Sequence, residues 1–119
     1  MVPVWRMVAA SSKRPTDDFA ALRKGMLEFL LLRMIGAQKL YAGDIAKRLR
    51  DTPFKAPHGT LYPLLSRMAR SGLVEHEWKE SAAGPPRKYY SLTRAGAQKL
   101  EALTQYWKTL SETIAAFAK

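Results

Sequence analysis

Cysteine is absent from the 119 residues of this chain. That excludes disulfides and thiolate metal sites, fits a reducing compartment, and sets the expectation of a cytoplasmic protein. No apolar run approaches the roughly 18 residues that a membrane-spanning helix needs, so no membrane partner is expected. The N-terminal MVPVWRMVAASSK lacks the form of a secretory signal: its apolar stretch is short, Arg6 interrupts it, and no basic region precedes it. Histidine occurs only at His58 and His76. With no His/acid ligand spacing around them, neither a metal nor another cofactor is expected, and His76, between Val74 and Trp78, reads as structural. A glycine-rich phosphate loop and a G-x-S-x-G elbow are both missing. Glu75, Glu77 and Glu80 read as a solvated strand face rather than an acid/base pair. An enzyme is not predicted.

Acids are the other shortage. Asp and Glu number 10 against 20 Lys and Arg, a formal charge of +10 on a chain of ordinary globular composition (47% hydrophobic, 25% charged). A single domain of this size with such an excess points to a polyanionic partner, nucleic acid before a membrane surface. The excess is also localised. Residues 52–72 hold Lys55, Arg67 and Arg70 without an acid, and residues 87–94 hold Arg87, Lys88 and Arg94 without one. Between them lie Glu75, Glu77 and Glu80 against Lys79. A merely solvated surface would mix the signs.

The apolar spacing predicts four helices and a hairpin. Pro15-Thr16-Asp17-Asp18 reads as a helix start, with Thr16 as cap and acids in the first turn. The helix that follows, roughly 17–36, is too apolar around its circumference for one face to bury (Met26, Leu27, Phe29 to Leu32, Met34, Ile35), and Gly36 is expected to end it. A second helix is predicted over 42–51, with Ile45 and Leu49 inward and Lys47, Arg48 and Arg50 outward; Pro53 and Pro57 break the chain after it. The third begins near His58 or Gly59. Leu61, Leu64, Leu65 and Met68 form its buried stripe, and Thr60, Pro63, Ser66, Arg67 and Arg70 fall on the other side. Pro63 is tolerated near the first turn, and Ser71-Gly72 stops the helix. Residues 73–79 and 87–92 alternate as strands around the Gly/Pro turn SAAGPP, and Thr93 caps a last helix over 93–117.

Three short helices, the third with a basic outer face, followed by a basic hairpin, make a winged helix-turn-helix: a mainly α fold with a small β-hairpin and a long C-terminal helix. A helix with such a face fits a major groove, and the wing's Arg87 and Lys88 suit the phosphate backbone. The candidate DNA-binding residues are therefore Lys55, His58, Thr60, Tyr62, Pro63, Ser66, Arg67, Arg70, Arg87 and Lys88.

In the last helix Gly96, Leu100, Leu103, Trp107, Leu110, Ile114 and Phe117 alternate four and three apart, as in a coiled-coil seam. The plain alternative is packing on the helix's own domain. Since the first helix is already apolar almost all round, a dimer seam formed by Leu100, Leu103, Trp107, Leu110, Ile114 and Phe117 is the expectation. The domain limits follow: extension 1–16, winged helix-turn-helix 17–92, dimerisation helix 93–119. Trp107 is large for the middle of a seam, so two symmetry-related indoles could flank a gap suited to a flat aromatic molecule. Leu103, Ser111, Met26 and Leu27 would be its neighbours; a core tryptophan without a ligand is the other reading.

The wording of the sequence narrows this. Gly59-Thr60-Leu61-Tyr62-Pro63, Leu65, Arg67, Gly72-Leu73, Lys88-Tyr89-Tyr90, Leu92-Thr93 and Gly96, with Tyr41 and Ile45 before them, strongly resemble the PadR family of bacterial transcriptional regulators, over about residues 21–117. The resemblance implies a homodimeric winged-helix repressor whose C-terminal region dimerises and often senses ligand. With a single C-terminal helix the chain resembles the family's short branch, which includes multidrug-responsive repressors and in which a tryptophan at the place of Trp107 stacks on planar ligands. Two features depart from the pattern. Met68-Ala69 follow Arg67 where Leu-Glu is frequent, and the N-terminal extension with Trp5 has no counterpart, being either an arm packed on the dimer or a frayed end. The expected partners are double-stranded DNA with a palindromic operator, a second copy of the chain, and a planar aromatic molecule. A non-specific nucleoid-type protein and a winged helix used for protein contacts are the rival readings.

Overall fold

The computed structural model describes residues 19–118; the Thr16 cap and the extension with Trp5 lie outside them. Helices α1 (Ala20–Ala37), α2 (Ala42–Leu49) and α3 (His58–Arg70) are followed by strands β1 (Val74–Ser81) and β2 (Gly84–Leu92) and by helix α4 (Arg94–Phe117). No helix among the described residues is long and apolar enough to cross a membrane.

The core is aliphatic. Leu31 and Leu32 of α1, Ile45 of α2, and Leu61, Leu65 and Met68 of α3 are all but inaccessible, and Leu27, Ile35, Leu40, Leu49, Leu64, Val74 and Tyr90 join them. Truncating any of the fully buried leucines should cost about 2–5 kcal/mol. The stripe read from α3 is the buried one, and the helix closes on Gly72. There φ is +77°, the Leu73 amide donates to the Met68 carbonyl (2.9 Å), and the Gly72 amide donates to Ala69 (3.0 Å), the two bonds of a Schellman closure.

Several boundaries differ from expectation, each for a local reason. Helix α2 stops at Leu49 rather than 51, because the Thr52 hydroxyl donates to the Leu49 carbonyl at 2.9 Å and accepts from the Phe54 amide at 3.1 Å. Gly36 does not end α1, which runs to Ala37; a Cβ on Gly36 would sit 3.0 Å from both Leu92 Cδ1 and Leu100 Cδ2, so its bareness lets the hairpin and α4 close on α1. Pro63 is the sixth residue of α3, not part of its first turn. The carbonyl four residues back, on Gly59, therefore loses its helical donor, and both residues are exposed, where water can serve it.

The strands also reach further than predicted, to Ser81 and from Gly84, leaving only residues 82 and 83 as the turn. Pro85 and Pro86 lie inside β2 opposite the irregularity between Lys79 and Ser81. A two-stranded ribbon has edges on both sides, which is where proline is accommodated. A bridge invisible in the sequence ties this ribbon to the helices: Leu40 and Tyr90 exchange both backbone hydrogen bonds (3.3 and 2.8 Å).

Helix α4 starts on top of the α3–β1 junction. The Thr93 hydroxyl accepts from the Gly96 amide (3.0 Å) and donates to the Gly72 carbonyl (2.5 Å), while the Thr93 amide donates to Leu73 (3.1 Å). Gly96 is buried there, and a Cβ on it would run into the Leu73 carbonyl oxygen. Leu100 and Leu103 then pack on the core of their own domain, so the first part of the expected seam has an intrachain role. From Thr104 to Ala118 every residue is exposed.

Candidate nucleic-acid interface

The outer surface of α3 faces three ways. At about 100° per residue, Gly59, Pro63, Ser66 and Arg70 stand opposite the buried stripe. Thr60 and Arg67 lie on the flank towards α1, where Arg67 Nη2 is 3.9 Å from Glu28 Oε2; Lys99 of α4 meets the other oxygen of Glu28 at 3.4 Å. His58 and Tyr62 lie on the flank towards the hairpin, their rings edge-on with centroids 5.5 Å apart. The sequence put Thr60, Pro63, Ser66, Arg67 and Arg70 on one face; the fold turns Arg67 partly to α1 and brings Tyr62 outward, 51% exposed.

An open cleft of about 470 Å³ separates this helix from the hairpin. His58, Tyr62 and Ser66 line it from α3, Trp78, Arg87, Lys88 and Tyr90 from the hairpin, and Tyr41 from the start of α2. Five of the candidate residues are thus brought together. Arg87 and Lys88 are neighbours on one strand and point to opposite faces of the ribbon, so they cannot serve as one continuous strip of charge. Both are held by rings rather than by acids. The Arg87 guanidinium carbon is 4.5 Å from the Tyr41 ring centroid, and the Lys88 ammonium is 5.6 Å from that of Trp78 and 5.9 Å from that of Tyr90.

The acids of the hairpin are diverted. Glu77 Oε1 accepts from the Lys39 ammonium at 2.8 Å, with Lys79 3.8 Å away. The hydrogen bond and charge of Lys39 hold the Glu77 carboxyl below its ordinary pKa, and Glu77 raises that of Lys39 in return. Among the described residues no carboxylate stands within ion-pair distance of Lys55, Arg70, Arg87 or Lys88. Lys55 and His58 share a second, shallower groove with Lys47 and Arg50 of α2. Lys47 and Arg50 were not among the candidates drawn from the sequence, although their outward position was legible there. Tyr41 was missed as well, since nothing local says that its ring reaches the wing.

Elsewhere, the exposed His76 ring lies edge-on to Trp78 and tilted against Tyr90 (centroids 6.1 and 6.2 Å apart), and no three His, Asp or Glu side chains gather as a metal would need among the described residues. On α4, Trp107 is 48% exposed, Leu110 37%, Ile114 59% and Phe117 86%, with Ser111 exposed beside them. Met26 is half-buried. Leu27, which the sequence places beside Trp107, is turned into the domain core.

Helix pair, recognition-type helix, basic wing and projecting C-terminal helix together define a winged helix-turn-helix protein of the DNA-binding class. The model of the transcriptional regulator PadR-like family matches residues 31–102, and the chain belongs to that family. Its members regulate transcription and are not enzymes. A PadR-like transcription factor from Bacteroides fragilis is 40% identical, with a TM-score of 0.73 over 86% of this chain and 99% of its own. A PadR-like transcriptional regulator from Bacillus cereus is 34% identical, with a TM-score of 0.75 over 83% of this chain and 97% of its own. An uncharacterised protein of Lysinibacillus sphaericus is 27% identical over 97 residues, 79% of this chain and 89% of the relative.

Proposed function

We propose that the chain is a cytoplasmic, sequence-specific DNA-binding repressor that acts as a homodimer on a palindromic operator and is released by a planar aromatic effector. The observation that carries the DNA reading is the acid-free exposed surface of α3 standing across a cleft from Arg87 and Lys88, which no carboxylate among the described residues neutralises. In this reading Thr60, Tyr62, Pro63, Ser66, Arg67 and Arg70 address the groove and the backbone beside it. Lys55, His58, Arg87 and Lys88 take phosphates.

The dimer is supported by α4. Residues 104–117 form a helical stretch with every residue exposed, rich in threonine and aromatic residues. A helix of that length is marginal in water without packing, and its seam of Trp107, Leu110, Ile114 and Phe117 offers a second copy the apolar contact that would hold it. Trp107 at the centre of such a seam, with Leu103 and Ser111 a turn away and Met26 on α1, suits a flat ligand between two indoles.

The test is selection of bound fragments from random genomic DNA at a stated salt concentration, followed by competition with random duplex. A specific regulator should prefer its selected site by ~10³ or more. Tight binding without preference would instead identify a nucleoid-type protein, and negligible binding at physiological salt a winged helix used for protein contacts.

A further inference from the structure

In the wing ladder Lys79 and Arg87 are direct partners, two cations facing each other on the same side of the ribbon. Like charges directly opposite destabilise a ladder. Two tyrosines take up the pair. Lys79 lies 5.2 Å over the Tyr89 ring, Arg87 lies 4.5 Å over the Tyr41 ring, and the two rings meet with centroids 5.4 Å apart and planes tilted by 57°. Tyr41 belongs to neither strand: it is the N-cap residue of α2, so Arg87 is fixed from the helical side of the cleft. The ring also needs a bare neighbour, because a Cβ on Gly43 would lie 2.5 Å from Tyr41 Cε2.

We propose that Tyr41 is the positioning residue of the wing, its ring holding the Arg87 guanidinium at the cleft so that it meets a DNA phosphate already oriented. A guanidinium over a ring is held through its flat face, which leaves its in-plane N–H donors for a phosphate; a carboxylate partner would occupy those same donors. Stacking also removes part of the rotamer freedom that a free arginine loses on binding. The inference rests on the reading of Arg87 as a phosphate contact.

Phosphate contacts are independent of sequence, so the test uses a labelled random-sequence duplex at low salt, titrated by fluorescence anisotropy. R87A should weaken binding by about tenfold or more for each subunit engaged, the loss of a charge-assisted contact. Y41L should weaken it roughly two- to fivefold, part of the cost of ordering a free arginine, and Y41F, which keeps the ring, should restore native affinity. Gly43→Ala, whose Cβ displaces the ring while favouring the helix, should act like Y41L and covers the case in which Y41L folds poorly. The deciding measurement is the double variant: in the R87A background neither Y41L nor Gly43→Ala should weaken binding further. Equal losses in both backgrounds would mean that Tyr41 is merely structural or touches DNA itself, and Y41F as weak as Y41L would assign the effect to the hydroxyl; either overturns the proposal. R87A without effect would overturn the phosphate reading of Arg87 itself.

Discussion

The distal half of α4 allows the proposed dimer to be tested without disturbing the core of the winged domain. Leu103 is a poor probe, because it packs on the core of its own domain and a charge there would damage the protomer. Ile114 and Phe117 are better, being 59% and 86% exposed in the protomer. Fully burying such side chains is worth about 1.5–3 kcal/mol each, so the portion still exposed could contribute roughly 2–4 kcal/mol per subunit to a two-fold seam. Replacing both with glutamate removes that contribution from both subunits and sets four carboxylates against an apolar surface. A loss of at least about 4 kcal/mol weakens dimerisation by roughly a thousandfold. Light scattering at micromolar concentration should show half the native mass. Far-UV circular dichroism should lose roughly a fifth of the helical signal, the share held by residues 104–117 among the four helices. A native protein that is itself monomeric, or a double variant with undiminished mass, would refute the reasoning.

Gly96→Ala drives a methyl group against the Leu73 carbonyl, where no side chain can rotate away, and disturbs the Thr93 cap; it should cost roughly 2–4 kcal/mol. The corresponding fall in Tm is about 8 °C or more, and an unchanged Tm would refute the close approach. Glu28→Gln releases Arg67 and removes an acid beside α3, so affinity for random duplex should rise a few-fold with stability altered by no more than about 1 kcal/mol; weaker binding would contradict it. Burial, and secondarily the charge of Tyr62, holds the Tyr90 phenol above its ordinary pKa. The folded state therefore keeps this proton longer than the unfolded one, and stability that is full below about pH 10 should fall as the pH rises through the raised value. In an absorbance titration the last phenol to ionise should vanish in Tyr90→Phe, and an unchanged late phase would assign it elsewhere. Trp107→Ala should abolish micromolar binding of a planar aromatic dye, followed by calorimetry. It should spare Tm, whereas a tightly buried tryptophan would cost about 3–5 kcal/mol.

Elements whose signal is local were legible in the sequence. The stripe of α3 repeats at helical spacing with its stop at Gly72, and Thr93 announces α4 three residues before the glycine it caps. What escaped depends on contacts between distant segments. The Leu40–Tyr90 bridge is a single residue pair fifty positions apart, too short to leave a strand pattern at residue 40. SAAGPP reads as a turn because glycine and proline usually punctuate, yet the free edges of a two-stranded ribbon let both strands run into it. At the candidate site, helical spacing named which side chains of α3 face outward. It could not say that Arg67 leans towards Glu28 or that Tyr62 leans towards the wing, because those directions are set by α1 and by the hairpin.

The same distant contacts decide what a change in α4 can do to α3. The last turn of α3 and the first turn of α4 share one joint: the Gly72 carbonyl takes the Thr93 hydroxyl, the Leu73 carbonyl takes the Thr93 amide, and Gly96 has no side chain to hold the two apart. Such a joint transmits rotation poorly absorbed elsewhere, since both helices are committed to the core by Leu64, Leu65 and Met68 on one side and by Leu100 and Leu103 on the other. In the proposed dimer the crossing of two α4 helices therefore sets the separation of two α3 helices. An operator read one helical turn apart fixes that separation near 34 Å. A ligand wedged beside Trp107 need not touch the DNA-facing surface to act. Altering the angle at which the distal seams meet would move each α3 off that spacing together with its wing, which the Leu40–Tyr90 bridge and the Tyr41–Arg87 contact tie to it, so that the two copies no longer match one site while each can still meet phosphates. Release of this kind, in the proposed dimer, would cost specificity before it cost affinity for random DNA.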